Sequence, residues 1–91
     1  VAPESAEWVT IDGHCWISGG WVQAHMTVNS NYSGTAYVNI YKRGVGLVAR
    51  ATKSGKYISL KVWEPYRSGS SYFSTFGFNS PYNSASGSDV C

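Results

Sequence analysis

Charge is scarce in this sequence. Lys, Arg, Asp and Glu together make up 13% of its 91 residues, against about 25% in an ordinary soluble domain. The solvated surface must therefore be built from Ser, Asn, Gly, Thr and Tyr. Long apolar runs are also missing: none reaches the roughly 18 residues of a membrane-spanning helix. No basic, apolar leader stands at the start, and Val1-Ala2-Pro3-Glu4 reads as a mature N-terminus left by signal cleavage. No window combines a 3.6-residue period with helix-forming composition, so no significant helix is expected.

Cysteine occurs twice and methionine once. With a polar surface poor in charge, this is the profile of a protein in an oxidising, extracellular setting. Pairing Cys15 with Cys91 would close a loop of 76 residues. The lost chain entropy of the unfolded state makes such a bond worth about 4 kcal/mol. Two free thiols, or a bond to a second molecule, are the alternatives. A chain of this length makes one small domain, so any site lies on a single core or its surface.

What is present is period-2 alternation. β-Branched and aromatic residues alternate with polar ones from Trp8 to Phe78, with Gly, Ser, Asn and Pro between the runs. Seven short strands are predicted: Glu7–Ile11, His14–Ile17, Trp21–Asn29, Thr35–Arg43, Leu47–Thr52, Tyr57–Glu64 and Ser71–Phe78. The turns between them fall at Asp12-Gly13, Ser18-Gly19-Gly20, Asn29–Gly34, Gly44-Val45-Gly46, Lys53-Ser54-Gly55-Lys56 and Pro65–Ser70. Such spacing predicts an all-β fold, a small antiparallel β-sandwich, Greek-key-like or barrel-like, closed by one disulfide. The Ser, Asn and Gly-rich stretch from Asn79 to Val90 is expected to be mobile but for its anchor at Cys91.

The alternation sorts the side chains onto two faces. Val22, Ala24, Met26 and Val28, then Ala36, Val38 and Ile40, then Ile58, Leu60 and Val62 take the core side. The other side receives Trp21, Gln23, His25 and Thr27, then Tyr37, Asn39, Tyr41 and Arg43, then Tyr57, Ser59, Lys61 and Trp63. Five large rings, Trp21, Tyr37, Tyr41, Tyr57 and Trp63, thus share a polar face. A contiguous exposed apolar patch marks an interaction site, whereas cross-strand aromatic pairs that stabilise a sheet would leave the same pattern. All seven basic residues lie between Lys42 and Arg67, with Glu64 the only acid among them. One face and one end should carry a positive potential.

Chemistry is harder to find. Asp12 and His14 are the only close acid–base pair, and Asp beside Gly is expected in a turn. Glu64, Arg67 and His25 have the types of a ribonuclease site with nothing in sequence to bring them together, and no Gly-x-Ser-x-Gly occurs. Two histidines and a disulfide leave no four-ligand metal set, and no cofactor is called for. A basic face with interleaved rings also suits single-stranded nucleic acid, but the net charge of +2 is small for that role. Asn31-Tyr32-Ser33 is a formal glycosylation sequon.

Partial resemblances point the same way. Cys15, Trp21 and Val28-Asn29, with Phe76-Gly77-Phe78 near the last cysteine, resemble bacterial cellulose-binding modules over a minority of the chain, with a shorter spacing between the cysteines. Ser30-Asn31-Tyr32 and Ala49-Arg50-Ala51-Thr52 resemble lactococcin-type β-sandwich bacteriocins, again at a different spacing. Neither identifies the chain. The expectation is a secreted, non-catalytic protein that binds a polysaccharide or cell-envelope glycan through Trp21, Gln23, Tyr37, Asn39, Tyr41, Arg43, Tyr57, Lys61 and Trp63. Ser59 would add a hydroxyl, the Lys/Arg set would favour anionic polymers, and an antimicrobial role would follow naturally. The rival is a secreted inhibitor or toxin acting on a protein through a protruding loop, Gly44–Gly46, Lys53–Lys56 or Pro65–Gly69. A homodimer burying the aromatic face would produce the same pattern.

Overall fold

The computed structural model describes residues 8–91; Glu7 and the proposed mature N-terminus lie outside them. Five antiparallel strands form one sheet: β1 (Val9–Ser18), β2 (Trp21–Lys42), β3 (Gly46–Pro65), β4 (Tyr72–Asn79) and β5 (Ser84–Val90). β2 is the centre. β3 pairs along one of its edges, while β1 takes the first half of the other edge and β4 the second, with β5 beyond β4. The sheet curls into a half-barrel instead of forming the expected sandwich of seven strands. No helix among the described residues is long and apolar enough to cross a membrane.

Three predicted turns lie inside strands, and each has a physical reason. Asn29–Gly34 does not turn because the apolar runs on either side keep the same phase. Val22, Ala24, Met26 and Val28 before it and Ala36, Val38 and Ile40 after it are all buried. The chain continues through a register shift against β3 between Asn29 and Gly34. In β3 the phase does change: odd-numbered Ala49 and Ala51 pack on the core before Gly55, even-numbered Ile58 and Leu60 after it. Gly55, at φ 147°, absorbs that change without a turn, a conformation open to glycine alone. Asp12-Gly13 continues β1 opposite Thr27 and Met26. Gly13 is a packing glycine, since a Cβ there would lie 2.5 Å from the Phe76 ring.

Phe76 joins the two ends of the curl. It projects from β4 between Gly13 of β1 and Gly87 of β5, where an added Cβ would approach the same ring to 2.7 Å. β1 and β5 are not paired as strands. They meet through the Cys15–Cys91 disulfide, as expected, with Cα atoms 4.7 Å apart, and through Asp89, whose Oδ2 accepts the Cys15 N–H at 2.8 Å. Within the stretch from Asn79 to Val90, expected to be held only by its anchor at Cys91, Ser84–Val90 is strand β5. Its inward residues, Ala85, Gly87 and Asp89, are small or polar, which hides the alternation from a hydrophobicity reading.

Buried apolar side chains from both halves of β2, with Ile58, Leu60, Tyr72, Phe76 and Phe78, fill the curl. Each fully buried aliphatic or aromatic side chain contributes about 1.5–3 kcal/mol. Gly13→Ala is expected to lower stability by about 1–3 kcal/mol, because the buried ring cannot swing aside. Denaturant unfolding checks this, and Phe76→Leu in the same chain should restore part of the loss. An unchanged midpoint for Gly13→Ala would mean that the ring yields.

Candidate functional site

The outer side of the first half of the sheet is a three-stranded surface ordered β1, β2, β3. Gln23 stands at its centre, opposite Trp16 on one side and Trp63 on the other. The next rung is His14, His25 and Lys61, and the one after is Asp12, Thr27 and Ser59. Trp21 lies diagonal to Trp63, one rung beyond Gln23. Strand spacing of about 4.8 Å sets the Trp16 and Trp63 backbones roughly 10 Å apart across Gln23.

All three indoles are open: Trp16 is 41% exposed, Trp21 47% and Trp63 51%. Trp63 Nε1 donates to Gln23 Oε1 at 3.0 Å, which satisfies the indole N–H and fixes the ring's direction. Trp21 and Trp63 line an open apolar hollow. A second, smaller hollow beside it is lined by Trp16, Gln23, Ala24, His25, Lys61 and Trp63. His25 Nε2 lies 3.1 Å from Ser59 Oγ, which holds the imidazole along the sheet.

The rings of the second half are used differently. Tyr41 stacks on Phe73 with centroids 5.1 Å apart and planes 11° from parallel, and the Arg43 guanidinium lies 5.0 Å from the Phe73 centroid. Tyr37 covers Gly77, filling the space a side chain would take, and carries Arg50 at 5.9 Å. Asn39 is buried, its Nδ2 donating to Thr75 Oγ1 at 3.2 Å. These contacts match the sheet-stabilising reading of exposed aromatics. Among the described residues, by contrast, no ring–ring pair involves Trp16, Trp21 or Trp63.

The nine site residues expected from the sequence therefore fall into two groups. Trp21, Gln23, Lys61 and Trp63 converge on the β1–β2–β3 surface. Tyr37, Asn39, Tyr41 and Arg43 belong to the β2–β4 surface. Tyr57 is on the outer side of β3, opposite Asn29 and 72% exposed, but six residues from Trp63, roughly 20 Å along the strand. Trp16 was not among the nine. Its outward position follows once Ile11 and Cys15 are placed inward on one continuous strand, which the supposed turn at Asp12-Gly13 concealed.

Of the three loops suited to a protein target, Lys53–Lys56 is strand, a correction that follows from the unbroken β3. The Gly44–Gly46 turn projects Val45, 68% exposed. The Pro65–Gly69 loop is tied down: the Tyr66 N–H donates to Gly20 O and the Arg67 N–H to Tyr72 Oη. His14 Nε2 and Asp12 Oδ2 are 3.4 Å apart, with both side chains about two-thirds exposed.

No family model matches the chain, and no curated protein matches it significantly in sequence. Among solved structures, the fold is similar to that in the solution structure of R. palustris CsgH, with a TM-score of 0.51 over 91% of this chain and 90% of that one, at 17% sequence identity.

Proposed function

We propose that the chain is a secreted, non-catalytic binding protein that holds a polysaccharide or cell-envelope glycan on the Trp16–Trp21–Trp63 surface. One observation carries the reading: three half-exposed indoles lie together on one sheet face with no ring partner among the described residues. Flat apolar rings on a strand surface suit the apolar faces of sugar rings, and Gln23 and Ser59 supply polar contacts along the same rungs. The disulfide supports an oxidising compartment. The non-catalytic reading draws on the openness of His14 and Asp12, since catalytic side chains normally converge in a cleft that holds the substrate.

Depletion of the purified protein from solution by insoluble chitin, cellulose and bacterial or fungal walls tests this. The wild type should be retained at moderate salt, and Trp21→Ala with Trp63→Ala should weaken retention about tenfold or more, at roughly 1 kcal/mol per lost stacking contact. Failure of the wild type to bind any wall, or full retention of the double variant, would remove the proposal. The rival, a protein target engaged at a loop tip, rests on Val45. Val45→Asp would then abolish function while the tryptophan variants left it intact.

A further inference from the structure

We propose that the hollow bounded by Trp16, Gln23, His25, Lys61 and Trp63 seats an anionic substituent, a carboxylate or sulfate, on a sugar unit whose neighbouring rings lie on the tryptophans. The inference rests on the glycan reading above and adds the charge class of the ligand and the place where that charge is read. The hollow has a volume of about 130 Å³. Pockets that enclose a whole small molecule run to about 300–1,000 Å³. The hollow is thus the size of a substituent, and it shares Trp63 with the open apolar surface beside it. A glycan stacked on Trp21 and Trp63 would reach it without leaving the sheet.

The chemistry of the lining has one sign. Lys61 supplies an ammonium, and among the described residues no acid lines the hollow. Gln23 has its carbonyl oxygen engaged by the Trp63 indole, which orients the amide and leaves its NH₂ as a donor for a ligand. Asp12, a carboxylate two rungs away on this face, sits against His14. A hollow with donors and a cation in its wall fits an anion and disfavours a cation.

Five of the six other basic side chains are placed elsewhere, and Arg67 follows β3 in the loop whose backbone is tied to Tyr72 Oη. Arg43 and Arg50 lie over Phe73 and Tyr37, Lys42 pairs with Gly46 and Tyr72, and Lys53 is opposite Ala36. Lys56 stands between Gly55 and Tyr57, far along β3 from Trp63, and is exposed. It is therefore a matched control, since its loss changes net charge as much as the loss of Lys61 does.

The test measures binding of the full chain to soluble polymers that share a backbone: hydroxyethyl cellulose, carboxymethyl cellulose and cellulose sulfate, with glycol chitin and carboxymethyl chitin as a second set. At about 0.15 M salt, where distant charges are screened, an anionic polymer should bind about tenfold more tightly than its neutral parent, the gain expected of one charge-assisted contact. Lys61→Gln should erase that preference, whereas Lys56→Gln should keep both the preference and neutral binding. The carboxymethyl and sulfate arms say which anion is preferred. Equal losses for the two lysine variants, or neutral binding without anionic preference, overturn this inference and leave the glycan reading standing. Absence of binding to every polymer overturns both.

Discussion

Opening the Cys15–Cys91 bond, by reductant or by Cys15→Ala with Cys91→Ala, is expected to lower stability by about 4 kcal/mol. A domain of this size is held by roughly 5–14 kcal/mol in total, so the loss takes a large share. The size follows from the 76 residues between the cysteines and from the topology. β1 and β5 form no ladder with each other, so strand hydrogen bonds cannot replace the covalent link. Guanidinium titration of the oxidised protein against the double variant checks the figure. A difference under about 1 kcal/mol would show that packing of Phe76 between Gly13 and Gly87, with the Asp89 hydrogen bond, closes the curl unaided.

Phe78→Ala should cost about 3–5 kcal/mol. Phe78 has no exposed surface and is the largest of the fully buried side chains. Its cross-strand neighbours are Ala36 and Ala85, and a Cβ on Gly34 would lie 2.6 Å from the tip of its ring. Its neighbours across both strands are alanines, too short to extend into the cavity. Phe78→Leu should recover more than half of the loss. Because the residue lies on β4, away from the tryptophan surface, glycan retention per folded molecule should not change, and thermal unfolding read alongside wall binding would show this. A loss of binding without loss of stability would contradict the separation of core and surface drawn here.

Much of this was legible in the alternation alone. The buried sets of β2 and β3, the outward tryptophans and the cysteine pair are all read from a period of two. What failed was the reading of glycine. Gly13 and Gly34 resemble turn residues in sequence, yet both are there because an aromatic ring, and at Gly34 also the backbone of Asn79, comes too close for a side chain. Such contacts are long-range, and no local rule reveals them. The same error divided β1 at Asp12-Gly13 and hid Trp16, while small inward residues hid β5. The aromatic face was over-read for a related reason: whether Tyr41 is free or stacked depends on Phe73, a partner 32 positions away that the sequence does not mark.

The pairing of β2 also bears on the order in which the chain folds. β1 and β4 both require an edge of β2, and the β2–β3 hairpin, closed by the short turn after Lys42, is the long local element that can present it. Zipping outward from that turn aligns Trp21 with Pro65 before the thiols of β1 and the C-terminus have reason to meet. Non-local pairings of this kind fold on the scale of milliseconds to seconds. In a reduced, refolding chain, oxidation of Cys15 with Cys91 would therefore be a late event, and its rate a clock for completion of the curl.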